Sequence, residues 1–177
     1  MLADFSTSPS GIWKKMQQFT IRPAVPTDQK VLEAVQWRAS LGNPGDREAL
    51  LANPDSIELP LEQIEVGGVF IAEEGGAVMG FAAILARDDG DSELDALFVE
   101  PGTWRRGVGR ALVEHCCLAA KVSGATAIHV VGNPHAEGFY EACGFNQVGR
   151  RQMRFGVGLL MKRALNESAL ERSPADA

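Results

Sequence analysis

The chain of 177 residues, 45% apolar and 23% charged, has the length and composition of one globular domain rather than two. No stretch approaches the roughly 18 uninterrupted apolar residues of a membrane-spanning helix, and a formal net charge of −6 argues against a nucleic-acid binder, which needs a basic face. Three cysteines, two of them adjacent (Cys116, Cys117), suggest no disulfide framework, and no apolar signal segment follows Lys14 and Lys15, so a cytoplasmic location is expected.

Residues 1–18 are polar and lack sustained periodicity, which reads as a flexible N-terminal extension; 166–177 reads as a flexible tail. Between them the domain spans 19–165. A short strand over 19–22 ends at Pro23. Thr27 and Asp28 then open a helix over 29–41, with Val31, Leu32, Val35 and Ala39 on one stripe. A second short helix over 47–52 follows a Gly-Asn-Pro-Gly break, and 55–67 reads as a loop with one helical turn. Strands over 69–73 and 78–86 flank Glu74-Gly75-Gly76 as a hairpin. Another strand covers 92–99, after the acidic turn 88–91. A glycine-bearing loop leads into a strong helix over 109–123, closed by Gly124. A strand over 127–131, a helix over 134–143 and two further strands to residue 165 complete the order. This is an α/β domain with a mixed sheet.

The stretch 98–110 is a strand, a glycine loop and a helix start. Free N–H groups at a helix N-terminus, with the positive end of the dipole, suit a phosphate, and Arg105, Arg106 and Arg110 add charge. A P-loop needs G-x-x-x-x-G-K-S/T, which is absent. A dinucleotide fingerprint needs a third glycine where Leu112 stands. A turn with a helix cap and solvent-facing arginines is the plain structural alternative.

Two segments carry a resemblance: Leu97-Phe98-Val99-Glu100-Pro101 with Gly107-Val108-Gly109-Arg110-Ala111-Leu112-Val113, and the run from Gly132 and Asn133 through Phe139-Tyr140 to Gly144-Phe145. In order and spacing they resemble the Q/R-x-x-G-x-G/A loop and the N…A…FYxxxGF segment of the GNAT (GCN5-related N-acetyltransferase) superfamily. The likeness in element order covers 19–165. It implies a mostly antiparallel, helix-flanked central sheet whose β4 and β5 splay into a notch, with acetyl-CoA as co-substrate lying in that notch. It further implies that Leu97, Phe98 and Val99 pair with the pantetheine arm as an added strand. The amides of Arg105, Arg106, Gly107, Val108, Gly109 and Arg110 would then hold the pyrophosphate, and Asn133, Ala136, Phe139 and Tyr140 would flank the thioester. Trp104 is counted with these cofactor-binding residues, and it marks one departure, occupying the position of the family's leading Gln or Arg.

Acyl transfer to an amine requires a base, oxyanion stabilisation and a leaving thiolate. Alternation along the strand places Glu93 and Asp95 on one face with Leu97 and Val99. The resemblance makes Glu93 the first candidate base, directly or through water, and Asp95 the second; the polar side of a half-solvated strand explains both equally simply. Tyr140, the sole tyrosine, matches the family's acid; a buried tyrosine with a satisfied hydroxyl is the bland reading. His115, His129 and His135 do not stand at metal-ligand spacings with the cysteines, so no metal is expected. Cys143 falls near the expected thiol position without being needed as a nucleophile.

The acceptor is less legible. Asp88, Asp89, Asp91, Glu93 and Asp95 favour a cationic amine, whereas Arg150, Arg151 and Arg154 would suit an amino-acid or peptide carboxylate if they faced the pocket. The sequence thus predicts an N-acetyltransferase of a small-molecule or peptide-like primary amine by direct ternary-complex attack. A non-catalytic acyl-CoA-binding or sensing module on the same fold is the alternative. The apolar run 155–161 is open to two readings, a homodimer edge or burial within one chain.

Overall fold

The computed structural model describes residues 19–43, 45–154 and 156–165. The expected extension 1–18 and tail 166–177 lie outside the described residues. The elements follow the expected order: β1 (Thr20–Pro23), α1 (Gln29–Gly42), α2 (Arg47–Ala52), α3 (Leu61–Glu65), β2 (Val69–Glu74), β3 (Ala77–Ala86), β4 (Ser92–Val99), α4 (Val108–Val122), β5 (Ala127–Gly132), α5 (Glu137–Ala142), β6 (Asn146–Met153) and β7 (Gly156–Ala164). Short 3-10 turns opening at Pro26, Pro54, Pro101 and Pro134 join them, because proline has its φ preset for a first helical position. The irregular stretch 55–67 does contain its one helical turn, α3.

Among the described residues, seven strands form one sheet in the order β1-β2-β3-β4-β5-β7-β6, antiparallel everywhere except between β4 and β5. That single parallel pair requires a crossover, which α4 supplies. Helices cover both faces, so the central strands are apolar on both sides. Alternation sorts β2: Val69 and Ile71 pack with Leu32, Val35, Leu59 and Ile64 beneath α1 and α3, while Phe70 and Ala72 join the α4 side. On α4, Val108, Leu112, Val113, Cys116, Cys117 and Ala120 form the buried stripe that meets Met79, Leu94, Ile128, Val130, Leu159 and Met161.

The apolar run 155–161 belongs mainly to β7, which lies between β5 and β6 rather than at an edge. Leu159 and Met161 are 2% and 1% exposed. Burial within the chain therefore accounts for Leu159 and Met161, while Val157 is 45% exposed, and the edge strand on this side of the sheet is the polar β6. Residue 155 itself lies outside the described residues.

Candidate active site

One carboxylate explains where β4 and β5 stay together. Asp91, just ahead of β4, accepts hydrogen bonds at Oδ1 from the Thr126 and Ala127 amides (3.2 and 2.9 Å) and from the Thr126 hydroxyl (3.0 Å). Its Oδ2 lies 2.9 Å from His129 Nε2 and 3.6 Å from Lys162 Nζ. The His129 bond above all, with those from Thr126 and Ala127, holds the Asp91 carboxyl well below the usual carboxylate range. Above this staple the strands pair at Ser92–Ile128, Glu93–His129 and Leu94–Val130, and then part.

The strands part at a bulge. The β3–β4 register shifts between Ala83 and Ile84, which face Ala96 and Leu94, so Asp95 is the extra residue. The bulge breaks the alternation on which the face assignment of 93, 95, 97 and 99 rested. Leu94, Leu97 and Val99 pack on the α4 side, and Ala96 and Phe98 on the α1 side. Beyond the bulge, the bond from the Glu100 amide to the Met79 carbonyl (2.8 Å) sets which backbone groups face β3. Phe98 and Glu100 face it; Leu97 and Val99 direct their N–H and C=O groups into the gap left by β5.

The gap opens into a cavity of about 990 Å³. At one end lies the glycine loop. Arg105 has φ +64° and Gly107 φ +81°, both left-handed, and Gly107 caps α4 without a side-chain hydrogen bond. The first helical bond runs from the Ala111 amide to the Gly107 carbonyl (3.0 Å). The amides ahead of it have no helical partner and present the positive end of the dipole to the cavity. Arg105 and Arg110 line this end. Arg106 does not line the cavity; its guanidinium reaches Glu74 at 3.0 Å. Trp104 lines the cavity and donates its indole N–H to the Val99 carbonyl (2.8 Å).

At the other end stands Tyr140, 8% exposed and edge-on to Phe139 and Phe145. It packs under the end of β5 because Gly132 has no side chain: a Cβ there would lie 2.9 Å from Tyr140 Cε2. No described residue hydrogen-bonds the Tyr140 hydroxyl, which belongs to a ring lining the cavity. Burial pushes its pKa up to about 12, so the phenol keeps its proton at neutral pH. Leu97, Phe98, Val99, Val108, Gly109, Asn133, Ala136 and Phe139 line the same space.

The two candidate bases part company. Asp95 lines the cavity and accepts a hydrogen bond from Gln63 Nε2 of α3 (3.0 Å). Glu93 sits below the split, 3.2 Å from Arg87 Nη1, and is not among the lining residues. Nor are Asp88, Asp89, Asp91, Arg150, Arg151, Arg154 or Cys143. Cys143 is buried, and burial pushes the Cys117 and Cys116 thiols up to about 11 and about 12, which keeps both protonated. Asp89, Asp91 and His129 lie close enough to share a metal, but Arg87 already holds Asp89 at 2.9 Å while Asp91 and His129 hold each other.

Sequence reading missed the wall opposite β4. Ala39, Ser40, Gly42, Asn43 and Asp46, from the end of α1 and the loop after it, line the cavity, as does His135. Asp46 accepts from Asn43 Nδ2 (2.7 Å) and Asn133 Nδ2 (3.2 Å), tying this loop to the turn before α5. The Gly-Asn-Pro-Gly-Asp break marked a loop, but nothing local signalled its partner 87 residues away.

The split β4/β5 pair with a helix N-terminus at its mouth is the architecture expected from the resemblance; the bulge beside it is an addition. The sequence profile of the Acetyltransferase (GNAT) family matches residues 36–145, and the chain belongs to that family. Uncharacterized N-acetyltransferases of Mycobacterium bovis and Mycobacterium tuberculosis are 31% identical over 92 residues, which is 50% of this chain. The match spans only 59% of those relatives' length. Among solved structures, a GCN5-related N-acetyltransferase from Rhodopseudomonas palustris superposes with a TM-score of 0.67 at 21% identity, covering 82% of this chain and 94% of that one. The PaiA N-acetyltransferase of Thermoplasma acidophilum, in complex with coenzyme A, gives 0.66 at 17%, covering 82% and 98%. A Salmonella typhimurium protein solved with its cofactor acetyl-CoA gives 0.63 at 21%, covering 90% and 98%. These likenesses establish the shared fold. Among the described residues, no helix is long and apolar enough to cross a membrane.

Proposed function

We propose that the protein transfers an acetyl group from acetyl-CoA to a primary amine of a small molecule or peptide-like acceptor. The carrying observation is the split of β4 from β5, which leaves Leu97 and Val99 with backbone groups aimed into a cavity. That cavity has a helix N-terminus with free amides at one end and a protonated phenol at the other. The residues fit the co-substrate in kind. The edge of β4 suits an amide-bearing arm, which can pair as an added strand. The α4 amides with Arg105 and Arg110 suit a pyrophosphate. Two structural neighbours were solved with coenzyme A or acetyl-CoA, which supports the choice of co-substrate.

In the reaction the amine nitrogen bonds to the thioester carbonyl carbon, and the carbon–sulfur bond then breaks. Asp95, in the cavity, takes one proton from the ammonium directly or through water and releases it to solvent, while Tyr140 donates its O–H proton to the departing sulfur and is restored by the second proton shed from nitrogen. Asp46 and Asp95 are the carboxylates lining the cavity, which favours an acceptor that arrives as an ammonium ion. The test is thiol release from acetyl-CoA with a panel of cationic, neutral and anionic amines. Turnover is expected with cationic amines above the rate of hydrolysis. Release no faster than background with every amine would leave a module that binds the co-substrate without using it.

A further inference from the structure

We propose that Trp104 is a displaceable plug in the cofactor groove: its indole occupies the Val99 carbonyl in the free protein and leaves when a pantetheine arm pairs with β4. The inference rests on the acetyl-CoA reading above and adds a step to it.

Val99 directs its carbonyl into the gap between β4 and β5, where an added strand would need it, and the acceptor is already taken by Trp104 Nε1 at 2.8 Å. The donor belongs to the loop that frames the groove, so the chain satisfies its own open strand edge from within. The ring is held lightly. Trp104 is 47% exposed and leans on Gly42, whose missing side chain leaves the indole its place: a Cβ there would lie 3.0 Å from Cη2. Pro101 is the other neighbour at that point.

The backbone around the ring is hydrogen-bonded in place, with the Trp104 amide donating to the Pro101 carbonyl (3.3 Å) and the Arg106 amide to the Thr103 carbonyl (3.4 Å), so the movement is a rotation of the Trp104 side chain. Next to it Arg105 sits in the left-handed region at φ +64°, uncommon for a residue with a Cβ and a place where the chain stores strain. A bond that must break before binding lowers the apparent affinity by the fraction of molecules in which it is open. A single indole–carbonyl hydrogen bond is worth a net factor of roughly two to ten.

The test pairs calorimetry with stopped-flow fluorescence, using acetyl-CoA as the probe. In a protein whose only remaining tryptophan is Trp104 (Trp13→Phe, Trp37→Phe), acetyl-CoA is expected to change the emission, with an observed rate that saturates as its concentration rises. Trp104→Phe keeps a ring and removes the donor; it is expected to bind acetyl-CoA roughly two- to tenfold more tightly, with the gain in the association rate. Unchanged or weaker binding by Trp104→Phe, or an unaltered Trp104 signal while calorimetry records binding, overturns the plug and leaves the acetyl-CoA reading intact. No calorimetric binding by either protein overturns both.

Discussion

The two ends of the β4/β5 pair are built on opposite principles. At the lower end a single carboxylate, Asp91, accepts three hydrogen bonds from Thr126 and Ala127 and meets His129, so β4 and β5 are locked together by local polar contacts. At the upper end an extra residue, Asp95, throws the strands apart, and backbone groups that a sheet would normally satisfy are left facing a cavity. Backbone groups left unpaired carry a cost when buried; here the gap is open to water, and the Val99 carbonyl is met by the Trp104 indole at 2.8 Å. The lower end holds the fold so that the upper end can remain open.

That contrast can be broken from either end. The largest effect is expected at the open end: Tyr140→Phe should lower kcat about a hundredfold with acetyl-CoA affinity held within about twofold, as measured by initial rates and calorimetry. Retention of full rate would remove Tyr140 as the acid. Asp95→Asn should also lower kcat, by about ten- to a hundredfold at saturating acetyl-CoA. At the closed end, Asp91→Ala should cost about 1–3 kcal/mol of stability in urea unfolding. Its pH dependence follows from the depressed carboxyl. The unfolded chain binds a proton here near pH 4 and the folded one does so only at lower pH. The stabilisation is therefore complete above the unfolded value and disappears as pH falls through the folded one. Asp91→Asn should flatten that acid slope. The smallest effect is expected at Glu93, between the two ends. Because it is held by Arg87 in a partly exposed pair below the split, Glu93→Gln should change kcat by about twofold at most. A loss matching that of Asp95→Asn would move the base back to Glu93.

Much of this was legible from local pattern. The helix stripe from Val108 to Ala120, the strand at 92–99 and the glycine loop each carry their own signal, and their order is the fold's order. The bulge was not legible. Period-two alternation assumes an unbroken pleat, and one inserted residue at Asp95 turns Leu94 onto the face of Leu97 and Val99. Asp46 and Gln63 were missed for a different reason: they reach the site from segments with no periodicity, through contacts that only the folded chain creates. The place of β7 inside the sheet was likewise hidden, since a hairpin's sequence does not say which of its strands meets the neighbour. Trp104 was visible as a departure from the GNAT pattern, but only the Val99 contact gives it a task.

The most direct measurement is a calorimetric titration with acetyl-CoA and, in parallel, with adenosine diphosphate, which can reach the helix terminus but has no arm to lie along β4. Acetyl-CoA is expected to bind clearly and far more tightly than the diphosphate. Equal affinity for the two, or no binding of acetyl-CoA at about millimolar concentration, would contradict the claim that the open edge of β4 is a cofactor site.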